Sequence, residues 1–417
     1  MKLKMGKIKF IFYILILMVT VIFSGCRMNT NDNQEEAKNN ITITPNIESP
    51  TEIPTETPLV TPIEPVIDIT TTPVQPSEEV SSSMLVAKRW MDTMTLEEKV
   101  AQMFFVRCPE ENAEEIMAEY QFGGYLLFAR DFESETKESV TKKITTYQEI
   151  SKIPAFIGVD EEGGTVNRIS KYKAFRNSPF ESPRALYQKG GFDEIRKDTR
   201  EKTNLLLSLG ININFAPVCD VASSSEDFIY DRAFGTEVEK TSEYVTLVVE
   251  TMKEMGIGSV LKHFPGYGNN VDTHTGIAYD KREYETFQNN DFLPFKAGID
   301  VGAPFVLVSH NIVESMDDKL PASLSFAVHH ILRSQLGFKN IIITDDLSMD
   351  AITTYTGQED AAVLAIEAGN DMLCSTDYKE QIAAVVNAVK SGKITEERID
   401  ESVLRILQTK YDLGLIK

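Results

Sequence analysis

Eight short apolar runs, rich in β-branched and aromatic residues, recur along the chain after residue 100. They are Met103–Arg107, Gly124–Phe128, Ala155–Val159, Ile211–Val218, Ser259–His263, Phe305–His310, Ile341–Thr344 and Met372–Cys374. Each is nearly continuous in apolar character, the pattern of strands covered on both faces of a parallel sheet. The segments between them carry helical periodicity with start and stop signals. Thr95 and Glu98 form a capping box ahead of the first run. Tyr244, Val245, Val248, Val249 and Met252 share a helix face that Gly256 ends. Val328, Ile331, Leu332 and Leu336 repeat this before Gly337, and Ile399, Val403, Ile406 and Leu407 line a last helix. His329 and His330, on the second of these helices, are expected to face solvent. Eight strands alternating with helices predict an α/β fold, a (β/α)8 TIM-type barrel forming one domain over residues 84–417. A doubly wound open sheet has the same alternation and is the rival architecture.

The chain before residue 84 is different material. Lys2, Lys4, Lys7 and Lys9 precede the apolar run Phe10–Phe23, which Ser24, Gly25 and Cys26 follow. A basic start, a run shorter than a bilayer span and small residues at a cut site read as a secretory signal over residues 1–25. Phe23-Ser24-Gly25-Cys26 resembles a bacterial lipobox, with Phe23 in place of the usual aliphatic residue, and makes Cys26 the expected lipid attachment. A plain secretory signal and an uncleaved anchor are the other readings. Each puts the rest of the protein outside the cytoplasm. Residues 27–83 hold ten acids, two bases, eight prolines and no aromatic residue. Too little apolar surface is present to offset the entropy of ordering, so 26–83 reads as a disordered linker behind the anchor. Its reach is at most about 180 Å.

Composition narrows the partners. With 42 Lys+Arg against 63 Asp+Glu, the net charge of −21 argues against nucleic acid. Four cysteines without metal-ligand spacing exclude a disulfide scaffold, and Cys108, Cys219 and Cys374 read as buried small hydrophobes. No cofactor and no metal are expected.

Polar residues gather just past the strand ends: Arg130, Asp160, Asp220, Lys262, His263, His310 and Asp345. The active site of a (β/α)8 barrel lies on that face. Three motifs stand out. Lys262-His263-Phe264-Pro265-Gly266-Tyr267-Gly268 leads to Asp272-Thr273-His274. Its glycines permit a loop folded over a ligand, and a carboxylate bonded to one imidazole nitrogen frees the other for proton transfer. A metal-ligand pair is the alternative for Asp272 and His274. Ile341-Ile342-Ile343-Thr344-Asp345-Asp346 delivers a carboxylate to the barrel mouth as nucleophile, base or helix cap, Asp346 being better placed to cap. Asp160-Glu161-Glu162-Gly163-Gly164 puts acids at a third strand end, suited to accepting from sugar hydroxyls.

Together with Asn214-Phe215-Ala216-Pro217-Val218 and Arg232-Ala233-Phe234-Gly235, these motifs resemble the β-N-acetylhexosaminidase branch of glycoside hydrolase family 3 over residues 86–417. The resemblance implies a single-domain barrel and a retaining enzyme. It makes Asp345 the nucleophile and Asp272 with His274 the acid/base dyad. It assigns Asp160, Arg168, Arg232, Lys262 and His263 to the terminal N-acetylglucosamine, on cell-wall muropeptides or chitin-type oligosaccharides. The chain departs from the family pattern in three places. One residue fewer than usual separates Gly268 from Asp272, Tyr267 stands where His or Asn is more familiar, and Glu161 where Gln is common. Competing readings are a β-glucosidase or β-xylosidase of the same family, a lipid-anchored sugar-binding protein without turnover, and a metal-dependent hydrolase using His263, Asp272, His274 and His310. For Lys262 the alternative role is an ion pair with a strand-end acid.

Overall fold

The computed structural model describes residues 81–417, except Ser223, 271–277, Thr354 and Gly357. The signal segment, Cys26 and nearly all of the linker therefore lie outside the described residues, as do Asp272 and His274.

Eight parallel strands form one sheet: β1 (Phe104–Arg107), β2 (Gly124–Leu127), β3 (Phe156–Val159), β4 (Ile213–Asn214), β5 (Gly258–Phe264), β6 (Phe305–Val308), β7 (Ile341–Thr344) and β8 (Leu373–Ser375). Their order is 7-6-5-4-3-2-1-8, and every neighbouring pair is parallel. The ring closes between its two ends, where Ile343 bridges Met372 and the Thr344 amide donates to Met372 O at 3.2 Å. Closure excludes the open doubly wound sheet. All eight strands coincide with the apolar runs, and their side chains are almost wholly buried.

Alternation along each strand sorts inward from outward positions. Phe156 and Phe305 meet edge to face inside the ring at 5.3 Å, and Phe105 and Phe215 do the same at 5.3 Å. Gly158 leaves room for the second pair, since a Cβ there would stand 2.7 Å from Phe215 and 2.8 Å from Phe105. The interior is thus packed with rings, and the next inward position on several strands opens onto the C-terminal mouth. At the other end Lys410, fully buried on the helix Glu396–Asp412, donates to Gln102 Oε1 at 2.7 Å and lies 5.0 Å from the Phe156 ring.

The helices follow their sequence signals. Thr95 and Glu98 exchange both capping-box hydrogen bonds before the helix Leu96–Gln102. Tyr244, Val245, Val248, Val249 and Met252 are buried on Val238–Glu254, and Ile399, Val403, Ile406 and Leu407 on Glu396–Asp412. Among the described residues no helix is long and apolar enough to cross a membrane.

One expectation fails here. His330 is exposed, but His329 is buried. It lies three and seven residues before Leu332 and Leu336, so it belongs to the inward face of its helix. Its Nδ1 donates to Ser325 O at 2.8 Å, and burial holds its pKa below the usual imidazole value.

Candidate active site

The C-terminal mouth holds a cavity of about 290 Å³ whose walls come from most of the strand ends. Arg107, Leu126, Phe215, Lys262, Leu307 and Asp345 each reach it. The helix-bearing loops add Asp160, Glu162, Arg168, Arg232 and Asp346.

Its most ordered part is a cluster of two acids and two bases. Lys262 Nζ lies 2.6 Å from Asp160 Oδ1 and 2.7 Å from Glu162 Oε1. Arg232 grips Glu162 at two points, Nε to Oε2 at 3.1 Å and Nη2 to Oε1 at 2.8 Å. Burial alone would raise the Glu162 carboxyl, but the adjacent Arg232 and Lys262 charges hold it well below the carboxylate range. Burial likewise opposes the Arg232 charge, and Glu162 more than restores it. Lys262 is therefore ion-paired with strand-end acids, the alternative role the sequence offered, while it also lines the cavity.

His263 is the neighbour of this cluster. Its Nδ1 lies 2.8 Å from Asp220 Oδ2 and its Nε2 lies 2.9 Å from Arg232 Nη2. A carboxylate can only accept and a guanidinium can only donate. The ring is therefore neutral, with its proton on Nδ1 and a lone pair on Nε2. Burial and the Arg232 charge push its pKa down in agreement, against the pull of Asp220. Asp220 also accepts from the backbone amides of His263 at 3.0 Å and Tyr267 at 2.7 Å, so it sets both the imidazole and the start of the following loop. Lys262 and His263 are consecutive yet both line the cavity. The register of β5 against β6 shifts between Leu261 and Phe264, which breaks the simple alternation there.

The loop after β5 adopts the conformations its glycines permit, with φ of 122° at Gly266 and 53° at Gly268. A Cβ at Gly266 would stand 2.3 Å from Asp291 Oδ1. Arg282 pins this loop: it donates to Gly266 O at 2.9 Å while pairing with Asp280 at 2.7 Å and Asp291 at 2.9 Å. Asp272 and His274, farther along, lie outside the described residues.

Asp345 follows β7 and reaches the cavity, with its backbone amide held by Val308 O at 3.0 Å. Asp346 closes the turn instead, accepting from the Ser348 amide at 3.0 Å and hydroxyl at 2.8 Å, and the next helix begins only at Asp350. Arg168 reaches the same cavity, 3.8 Å from Asp160 Oδ2. Its loop is fixed by Glu161, whose buried carboxylate accepts from the amides of Arg168 and Ile169 at 2.8 Å each. The acid at this unusual place is a loop support.

Asp160, Arg168, Arg232, Lys262, His263 and Asp345 thus converge on one cavity. Arg130 and His310 do not line it: Arg130 bonds Cys108 O and Glu110, and His310 links Ser323 to Asp346 O. Cys108, Cys219 and Cys374 are buried and form no disulfide. Among the described residues no three acidic, histidine or cysteine side chains group as a metal site. Glu162 was missed as a site residue, although it stands two positions after Asp160, where alternation points it to the same side. Arg107 closes the apolar run of β1, and its pattern alone gives no sign that it reaches the mouth.

Comparison with known proteins gives this geometry a family. Residues 95–409 match the glycosyl hydrolase family 3 N terminal domain. Beta-hexosaminidase from Xanthomonas campestris pv. campestris (strain B100) is 31% identical over 271 residues, 64% of this chain and 80% of that protein. Beta-hexosaminidase A from Pseudoalteromonas piscicida is 28% identical over 327 residues, 72% of this chain; the chain spans only 55% of that protein's length. The solved glycoside hydrolase family 3 beta-N-acetylglucosaminidase from Paenibacillus sp. str. FPU-7 superposes with a TM-score of 0.72 at 30% identity, covering 77% of this chain and 63% of that one. The match spans all eight strands and every described site residue, and the chain belongs to glycosyl hydrolase family 3.

Proposed function

We propose that the protein is a retaining β-N-acetylhexosaminidase that removes terminal, non-reducing β-linked N-acetylglucosamine from cell-wall muropeptides or chitin-type oligosaccharides. The observation that carries this is the shared cavity in which Asp345 stands with the paired Asp160, Glu162, Lys262 and Arg232. Such a wall offers fixed donors and acceptors to sugar hydroxyls and an amide. The beta-hexosaminidase names of the relatives support the same substrate.

In the proposed reaction the Asp345 carboxylate attacks the anomeric carbon as the glycosidic bond breaks, leaving a glycosyl ester. His274, oriented by Asp272, gives its proton to the departing oxygen. It then takes a proton from water as water's oxygen attacks the anomeric carbon and frees Asp345, so configuration is retained. Arg168, Arg232, Lys262 and His263 hold the terminal sugar with Asp160. Neutral His263 can accept from a hydroxyl only if Arg232 yields its lone pair, so its part is chiefly to position Arg232. No cofactor is required by these steps. The sequence signals at Cys26 and along 27–83 support an enzyme held outside the cytoplasm on a lipid anchor and a long linker.

The test is covalent trapping with a 5-fluoro N-acetylglucosaminyl fluoride followed by peptide mapping. Label on the peptide holding Asp345 is expected; label on any other peptide overturns the assignment. Turnover of aryl glucoside or aryl xyloside in preference to aryl N-acetylglucosaminide would overturn the substrate.

A further inference from the structure

The charges around the cavity are balanced on one side only. Lys262 and Arg232 are neutralised by Asp160 and Glu162 at 2.6–2.8 Å. Arg107, at the end of β1, has no such partner. Among the described residues its side chain makes no ion pair within 4.0 Å and no hydrogen bond, and its Nε is buried without a partner. Its guanidinium lies over the Phe128 ring, 4.2 Å from the centre. Arg168 stands by the same ring at 5.7 Å, its Nε also buried and unbonded, and its one acid, Asp160, is 3.8 Å away and already held by Lys262. The neighbouring acid Asp131 is turned to the Phe128 amide at 2.6 Å.

A half-buried guanidinium without an anion has lost water and gained only the face of a ring. Arg107 also lines the cavity, and an arginine without an acid partner there can make the two-point grip that a guanidinium makes on carboxylate or phosphate. The protein carries a net charge of −21, so general attraction of anions does not account for this arrangement.

We propose that Arg107, with Arg168 across Phe128, forms an anion subsite that selects N-acetylglucosaminides carrying a carboxylate or phosphate. This rests on the hexosaminidase reading and narrows it to acidic substrates. The anion belongs either to the sugar released with the aglycone or to the terminal N-acetylglucosamine itself.

The experiment uses the full chain and two substrate pairs. One is a β-1,4 disaccharide of N-acetylglucosamine on a sugar bearing a lactyl ether carboxylate, against its methyl ester. The other is aryl 6-phospho-N-acetylglucosaminide against aryl N-acetylglucosaminide. Wild type should favour the anionic member of one pair by about tenfold in kcat/KM, or about 1.4 kcal/mol, and salt should erode the preference. The pair that responds identifies which sugar carries the anion. Arg107→Gln should bring that ratio close to one, and Arg107→Lys should retain part of it. Ratios near one for both pairs in wild type overturn the subsite, with no variant needed. A preference that survives in folded Arg107→Gln overturns it as well. Turnover of no member of either pair removes the hexosaminidase reading and the subsite with it, whereas turnover without preference removes the subsite alone.

Discussion

Glu162 grips Arg232 through two hydrogen bonds of 3.1 and 2.8 Å, across 70 residues of chain and inside the barrel mouth. Removing the acid's charge strips the half-buried Arg232 of its carboxylate and leaves Lys262 with Asp160 alone. Glu162→Gln should cost about 3 kcal/mol of stability, measured by urea unfolding at pH 7. Adding Lys262→Met should recover part of that loss. If the double variant loses the sum of the single losses, the cluster is not energetically coupled. Because the Glu162 pKa is depressed on folding, its contribution is present above its unfolded value of ~4.3 and lost as pH falls through the folded one. The wild-type advantage over Glu162→Gln should therefore shrink below about pH 4.

Asp345→Asn should lower kcat by at least ~10³-fold, about 4 kcal/mol of barrier, while the unfolding midpoint stays near that of wild type. Its backbone anchor to Val308 O does not depend on the carboxylate. A variant with substantial turnover would mean another group attacks the sugar.

The proposed proton donor is tested by the leaving group. His274→Ala should slow cleavage of chitobiose by ~10²–10⁴-fold. Cleavage of a dinitrophenyl glycoside, whose departing oxygen needs no proton, should fall much less in the glycosylation step. Equal loss on both, measured by the burst of released phenol, would reject the acid role.

Most of the architecture was readable because parallel barrel strands are covered on both faces and appear as unbroken apolar runs. The exception is Ile211–Val218, where the regular strand is only Ile213–Asn214. Pro217 has no amide hydrogen to continue a regular ladder, and past Asn214 the pairing runs on through separate contacts, Val260 N to Ala216 O at 3.0 Å and the Val218–Lys262 bridge. The site was readable where chemistry falls at a strand end, as with Asp160, Lys262 and Asp345. Glu162 and Asp220 were harder because their roles lie in partners 70 and 43 residues away. His329 is buried although histidine suits a solvent face, because its place on the inward side of the helix outweighs residue type.

Lys410 gives a stability test far from the mouth. Burial without an acid partner pulls its pKa down to about 7. The unfolded chain then binds more protons than the folded one between pH 7 and ~10.4. Folding stability should rise with pH across that window, and the penalty should be full below pH 7. It amounts to at most about 5 kcal/mol. Lys410→Met should be more stable than wild type at pH 6, with the gap closing towards pH 10 in urea titrations. A gap that does not change with pH would show that Lys410 does not titrate there.

The ring closes late in the life of the chain. β1 lies between β2 and β8, so a strand beginning at Phe104 waits for Leu373 before its second edge is covered. Asp345 stands beside that last seam. A nascent polypeptide that has emerged through Asp345 but not through β8 carries the proposed nucleophile on an open sheet, and the cavity around it is enclosed only once β8 is in place.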